Sequence, residues 1–99
     1  GHPLDQVLKR LELVIVGAKH LRDADILLGQ GHSDPYCVCK KLAGGKTRGK
    51  PLQTPTIDNT GDPVWNFEGK MEDYADGESL LFEVWDKDLV GSDPLGKAE

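Results

Sequence analysis

The most constraining feature of this 99-residue chain is the stretch from Leu80 to Gly96, where a strand pattern runs directly into an aspartate-rich loop. Leu80, Phe82 and Val84 stand at every second position, which is the period of a strand with one buried face. Pro94 lies near the end of the loop, and proline cannot continue a hydrogen-bonded ladder. We therefore predict a buried strand that ends in an acidic loop.

The acidic loop carries Asp86, Asp88 and Asp93, and three carboxylates on one short loop repel one another unless a cation compensates them. Aspartate is also common in turns, where its side chain bonds nearby backbone N–H groups, so one loop does not decide the matter. A second acidic segment contains Asp25 and Asp34. Several carboxylate oxygens from two loops are the hard ligands that Ca²⁺ prefers.

Composition indicates one turn-rich, all-β domain over residues 1–99, because 37% of the residues are hydrophobic and the chain has 12 Gly and 6 Pro. Residues 1–10 are a lead-in, and Gly1-His2 resembles an expression-tag remnant. The net charge of −5 argues against nucleic acid as a partner and makes any binding to anionic membranes conditional. No apolar run approaches the ~20 residues of a membrane span.

Cys37 and Cys39 lie two residues apart in an alternating segment, so they are predicted to point to the same face as small core residues. That geometry is poor for a disulfide between them, and the histidines do not complete a zinc pattern. Free thiols fit a reducing, cytosolic setting.

Six strands are predicted, and no segment has the period and caps of a helix. The predicted strands are Leu11–Ala18, Asp34–Leu42, Pro51–Ile57, Val64–Met71, a fifth beginning at Leu80, and Leu95–Glu99. The lead-in before Leu11 is ambiguous between a frayed strand and a turn of helix. The first strand has apolar residues on both faces, so we expect both to be partly covered.

Five motifs occur in an order that resembles the calcium- and lipid-binding C2 domain over about residues 11 to 99. They are Leu21–Asp25, Ser33–Tyr36, Asp62–Asn66, Val84–Asp88 and Asp93–Ala98. The resemblance implies an antiparallel Greek-key β-sandwich whose calcium-binding loops cluster at one end. The six predicted strands are fewer than such a sandwich contains, so we expect a chain truncated at its C-terminus. Its free strand edges would then favour dimerisation or strand exchange.

The resemblance implies Ca²⁺ as the cofactor and an aspartate at each position that the family uses for side-chain ligation. These residues are Asp25, Asp34, Asp86, Asp88 and Asp93. The backbone carbonyl of Lys87 would add a ligand. The first loop is longer than in familiar members, so Asp23 competes with Asp25, and the shorter third loop leaves the number of ions open.

The same resemblance places an apolar set at the loop tips, where its side chains are predicted to insert into a membrane. The set is Ile26, Leu27, Leu28, Leu89 and Val90. The alternative is that these side chains pack the loops against one another. The implied partner is an anionic phospholipid surface, to which a cytoplasmic domain is recruited peripherally when Ca²⁺ cancels the loop charge.

Some members of this family also bind phosphoinositides on an outward basic face, and Tyr36, Lys40 and Trp85 match that pattern. Three positions that would hold lysine hold other residues here, namely Val38, Gln53 and Pro55. The basic residues between 46 and 50 either substitute for them or form a solvated turn.

Two other function classes compete with a calcium-dependent membrane module. The first is a calcium-independent protein-interaction module of the same fold, which the full aspartate set disfavours. The second is an enzyme with an aspartyl nucleophile, since Asp86 and Asp88 follow a hydrophobic strand. Such enzymes use a parallel α/β sheet, and this chain lacks the alternating helices, so we predict no catalytic activity.

Overall fold

The structure is a computed structural model that describes residues 8–19, 21, 33–87 and 94–99. This part contains six β-strands: β1 (Leu8–Gly17), β2 (Pro35–Ala43), β3 (Lys46–Gln53), β4 (Val64–Ala75), β5 (Ser79–Asp86) and β6 (Gly96–Ala98). They form two antiparallel sheets, β1–β4 and β3–β2–β5–β6. The prediction of an all-β, antiparallel fold is confirmed. No helix in the described ranges is long and apolar enough to cross a membrane.

The core lies between the two sheets and is built by the alternation of β2. Cys37 and Cys39 are buried at 2% and 0% exposure, as the sequence predicted, and they pair across the ladder with Val84 and Phe82 of β5. Ile15 and Met71, from β1 and β4, pack into the same cluster. Because inward side chains of both sheets share one apolar layer, the arrangement is a β-sandwich.

The third strand is the largest departure from the predicted elements, because β3 runs from Lys46 to Gln53 and not from Pro51 to Ile57. Gly44 and Gly45 both adopt positive φ, at 59° and 81°. A two-residue turn with this geometry matches the twist of its flanking strands, so β3 begins immediately after it. The basic segment predicted as a turn is therefore part of an edge strand.

The strands of the smaller sheet also extend beyond their predicted limits, since Leu8 of β1 pairs with Ala75 of β4. The ambiguous lead-in therefore ends as strand. Both faces of β1 were expected to be partly covered, and the outer face is more than half exposed, at 54% for Val14 and 61% for Val16. Ile15 is buried because only the inner face of this sheet packs on the other sheet in the described part of the chain.

The described residues of three connections lie at one end of the sandwich: 18, 19, 21, 33 and 34 of the first, 54–63 of the second, and 87, 94 and 95 of the third. Strand pairing brings them there, because Gly17 lies opposite Val64 and Pro35 lies opposite Asp86. Ala18 N donates a hydrogen bond of 3.0 Å to the carbonyl oxygen of Pro63. A Cβ at Gly17 would overlap that same oxygen, so glycine is what permits the first two connections to approach each other.

Candidate metal site

Two of the predicted calcium ligands, Asp34 and Asp86, are neighbours at this end of the sandwich. The β2–β5 ladder places Asp86 opposite Pro35, so Asp34 follows directly at the end of the register. The backbone N–H of Asp34 lies 3.4 Å from Asp86 Oδ1, and the N–H of Lys87 donates to the Asp34 carbonyl at 3.0 Å. The last rungs of the sheet therefore hold the Asp34 backbone beside the Asp86 carboxylate.

Asp86 is only 5% exposed, whereas Asp34 is half-buried. A buried carboxylate beside a second carboxylate is electrostatically costly unless hydrogen bonds or a cation stabilise the charges. Carboxylate oxygens are ligands of the kind that Ca²⁺ takes. Asp34 and Asp86 therefore have the chemistry of the predicted ion, and the Lys87 carbonyl remains a predicted ligand.

The second connection also reaches the site, which the sequence analysis did not anticipate. Asn59 N donates to Asp34 Oδ1 at 2.6 Å, and Asn59 adopts a left-handed φ of 59°. Thr60 N donates to the Ser33 carbonyl at 2.8 Å, which fixes this connection against the start of β2. The signal was present in the Asp-Asn-Thr-Gly-Asp-Pro turn cluster, because Asn tolerates the left-handed conformation better than most residues do.

One cation lies near the described part of the site. Lys87 Nζ is 3.9 Å from Asp58 Oδ1, and the two side chains are 56% and 74% exposed. A long, exposed ion pair of this kind contributes at most about 1 kcal/mol and is screened by salt. Lys87 therefore leaves most of the negative charge of the loop end in place.

The other predicted ligands and the whole predicted membrane-inserting set lie outside the described residues. They are Asp23, Asp25, Asp88, Asp93, Ile26, Leu27, Leu28, Leu89 and Val90. Within the ranges that are described, no group of three His, Cys, Asp or Glu residues could hold a metal ion. The full ligand set thus remains a prediction, of which Asp34, Asp86 and the Lys87 backbone are described.

The predicted phosphoinositide face is on the outer side of the larger sheet. Tyr36 lies opposite Trp85 in the ladder, and Lys40 follows on the same face of β2. Lys40 Nζ is 2.7 Å from Glu83 Oε1, and Glu83 is only 8% exposed. This carboxylate compensates the charge of Lys40, so the face offers less positive potential than the three matched residues suggested. Phosphoinositide binding there remains a prediction.

Both cysteines have a structural role. Cys37 and Cys39 are free thiols, and burial raises the pKa of each to about 11. Neither is therefore a thiolate at neutral pH, which is the form that binds metal or attacks substrates. The backbone N–H of Cys37 donates to Thr54 Oγ1 at 2.9 Å and ties the second connection to β2.

Comparison with known proteins agrees with this architecture. The family model of the C2 domain matches residues 9–99. Rabphilin-1 of Caenorhabditis elegans is 38% identical over 93 residues, which is 90% of this chain and 8% of that protein. Synaptotagmin-5 of Arabidopsis thaliana is 31% identical over 90 residues, which is 88% of this chain and 14% of that protein.

Among solved structures, the calcium-bound pair of C2 domains of Extended-Synaptotagmin 2 matches with a TM-score of 0.73 and 25% identity. The match covers 95% of this chain and 35% of that one. The chain thus spans only a small part of the length of its relatives. The antiparallel Greek-key sandwich, the motif order and the family match lead to one conclusion: this chain belongs to the C2 domain family.

Proposed function

We propose that this C2 domain binds anionic phospholipid membranes in a Ca²⁺-dependent manner. The observation that carries the proposal is the contact of the Asp34 backbone N–H with Asp86 Oδ1, at the end of the β2–β5 ladder. The calcium-bound state of the Extended-Synaptotagmin 2 structure, which shares the fold, supports the choice of ion.

Carboxylate charge at the loop end makes membrane binding conditional. The chain has a net charge of −5, and like charges repel the phosphate and carboxylate groups of anionic lipids. Asp34 and Asp86 would hold Ca²⁺ together with the Lys87 carbonyl and the sequence-predicted Asp25, Asp88 and Asp93, with Asp23 as the alternative to Asp25. The bound ion would supply positive charge and coordination positions for lipid phosphate oxygens.

The protein framework around these ligands is already organised. Asn59 and Lys87 fix the Asp34 residue through backbone N–H groups, and the ladder fixes Asp86. Ligands positioned by packed strands lose little conformational entropy when they bind an ion. We therefore propose a switch that changes local charge and requires little movement of the backbone.

A second, apolar contribution comes from the predicted tip residues Ile26, Leu27, Leu28, Leu89 and Val90. Full burial of one aliphatic side chain contributes about 1.5–3 kcal/mol, and partial burial in the headgroup region contributes less. This term should persist at high salt, whereas the electrostatic term is screened over about 8 Å at physiological ionic strength.

Co-sedimentation with phosphatidylserine vesicles, in Ca²⁺ and in chelator, tests both terms. We expect binding only with Ca²⁺, and we expect Asp86→Asn to abolish it. Changing Leu27 and Leu89 together to Ser should weaken vesicle binding but leave Ca²⁺ affinity in the absence of lipid nearly unchanged. Equal binding in Ca²⁺ and in chelator would contradict the switch, and full binding by the double variant would assign those side chains to packing.

The main alternative is a calcium-independent protein-interaction module of the same fold. It predicts that neither Ca²⁺ nor the aspartate substitutions change the activity of the domain, so the vesicle experiment separates the two. We propose no catalytic role. Peripheral recruitment from the cytoplasm, protein partners and dimerisation through strand edges also remain proposals, and light scattering of the 99-residue chain tests the last of these.

A further inference from the structure

Lys41 is a buried cation at the far end of β2 from the aspartates. It is only 5% exposed, and it projects to the same inner face as Cys37 and Cys39. Its ammonium nitrogen donates a hydrogen bond of 2.6 Å to the backbone carbonyl of Glu72. Within the described ranges, it forms no ion pair with a carboxylate at 4.0 Å or less.

This arrangement satisfies only part of the ammonium group. A lysine carries three N–H donors and a full positive charge. One neutral carbonyl accepts only one of those hydrogens and does not neutralise the charge. Burying an ammonium group without a counter-charge is costly, so an unpaired buried lysine calls for an explanation. The position is otherwise one that faces the apolar core.

Lys41 lines a cleft of about 380 Å³ between β3 and β4. The other cationic residues around this cleft are Arg48, Lys50 and Lys70. Arg48 is already engaged, because its Nε and Nη2 each lie 2.6 Å from an oxygen of Glu78 and it also donates to the Asp73 carbonyl. The three lysines therefore provide the uncompensated charge.

Two further carboxylates, Glu72 and Asp73, line the cleft, but both are exposed and neither forms an ion pair with these lysines in the described part of the chain. Gly49 provides the open wall. It adopts a φ of +75°, and a Cβ there would lie 3.0 Å from Lys41 Nζ. Because glycine has no side chain, the backbone at Gly49 approaches the ammonium group of Lys41 and leaves it uncovered on that side.

We propose that this cleft binds a phosphate-type oxyanion, held by Lys41 with Lys50 and Lys70 around it. Phosphate oxygens can accept the remaining hydrogens of Lys41, and lysines recognise phosphate as a compact charge. The cleft lies about 20 Å along β2 from Pro35, at a rise of roughly 3.3 Å per residue. It opens on the opposite face of the sheet from Tyr36 and Lys40, and its occupation does not depend on the proposed calcium site.

The test is thermal unfolding of the 99-residue chain in inorganic phosphate and in sodium chloride of matched ionic strength. Phosphate should raise the Tm more than chloride does, because an anion that binds only the folded state stabilises it. Lys41→Met should lose most of this phosphate-specific rise. Lys97→Met is the matched control, because Lys97 is an exposed residue of β6 outside the cleft, and it should keep the full rise.

Without phosphate, Lys41→Met should be at least as stable as the unmodified chain, since it removes a buried charge that lacks a carboxylate partner. If it does not fold, Lys50→Gln, at an exposed position, should show a reduced phosphate-specific rise. Equal Tm values in phosphate and chloride, or an undiminished rise in the Lys41→Met protein, would overturn the proposal.

A vesicle experiment in chelator distinguishes the two sources of the phosphate group. If the source is a lipid headgroup, phosphatidylcholine vesicles doped with a phosphatidylinositol monophosphate should bind the unmodified chain. The Lys41→Met protein should not bind them. Phosphate-dependent stabilisation without vesicle binding would assign a soluble phosphate. A chain that responds to neither probe lacks the proposed site.

Discussion

The two ends of β2 hold buried charge in opposite ways. At its start, Asp34 lies beside Asp86, and a backbone N–H group from Asn59 bonds the Asp34 carboxylate. Near its end, Lys41 lies among other cations and is bonded to a backbone carbonyl. Like charges are therefore gathered at both ends of one strand, and each end has the donor or acceptor chemistry for an ion of the opposite sign. We therefore treat the two ends of this strand as two independent candidate sites.

The neighbouring Arg48–Glu78 pair is an example of a charge that the protein itself compensates with a carboxylate. Arg48 donates to both carboxylate oxygens of Glu78 at 2.6 Å, and this lowers the pKa of Glu78 to about 2. Lys41 contributes to this lowering only weakly and through space. Lys41 has no carboxylate partner of that kind in the described ranges. A structural ion pair is thus compensated within the protein, whereas the charges of the two candidate sites are not.

The largest expected effect is on Ca²⁺ affinity at the acidic end. Asp86→Asn should weaken Ca²⁺ binding by at least about tenfold, because it removes a charged ligand from the centre of the site. Asp34→Asn should act in the same direction. Asp76→Asn is the control. Asp76 lies in the β4–β5 turn, where no calcium ligand is predicted, and its exposed side chain forms an ion pair with Lys9 of β1. A calorimetric titration in which all three variants matched the unmodified chain would break the comparison.

The second effect is on stability. A ligand present at about a hundredfold of its Kd stabilises a folded protein by about 2.7 kcal/mol if it does not bind the unfolded chain. Ca²⁺ should therefore raise the Tm of the unmodified chain and of Asp76→Asn, but not of Asp86→Asn. Chemical or thermal unfolding in Ca²⁺ and in chelator measures this stabilisation. An unchanged Tm of the unmodified chain in Ca²⁺ would contradict the acidic site.

Sequence reasoning succeeded where chemistry and periodicity coincide. Alternation in β2 predicted the burial of Cys37 and Cys39, and the strand-to-aspartate transition at Asp86 located the acidic end. It failed where a tertiary contact overrides local composition. Lys41 stands at the next inward position of the β2 alternation, but its charge argues against burial. The turn composition around Asn59 does not reveal that its backbone N–H bonds Asp34. The predicted start of β3 at Pro51 is wrong because the basic residues after the Gly44–Gly45 turn were left out of the strand, although they already belong to it.

A smaller effect concerns pH and sharpens the contrast with Lys41. Because the folded pKa of Glu78 is lowered from 4.5 to about 2, its ion pair contributes stability that is fully present above pH 4.5. That contribution is lost as the pH falls toward 2. The stability difference between the unmodified chain and Glu78→Gln should therefore shrink across this interval. Chemical unfolding of both proteins across this interval measures the difference, and a constant difference would contradict the role of the ion pair.

The smallest effect is on thiol reactivity. Since burial raises the pKa of Cys37 and Cys39 to about 11, iodoacetamide should modify both far more slowly in the folded chain than in denaturant at about pH 8. Mass spectrometry of the alkylated protein measures the rates. Rapid modification of the native chain would mean that β2 opens readily, which would weaken the claim that it is a rigid support for both sites.

The most direct test of the central claim is a calorimetric titration of the chain with Ca²⁺, with Mg²⁺ as the control ion. We predict saturable Ca²⁺ binding that Mg²⁺ does not reproduce, because flexible carboxylate and carbonyl ligands suit the larger ion. We also predict that Asp86→Asn removes most of the binding. Absence of saturable Ca²⁺ binding, or identical isotherms for the two proteins, would contradict the central claim.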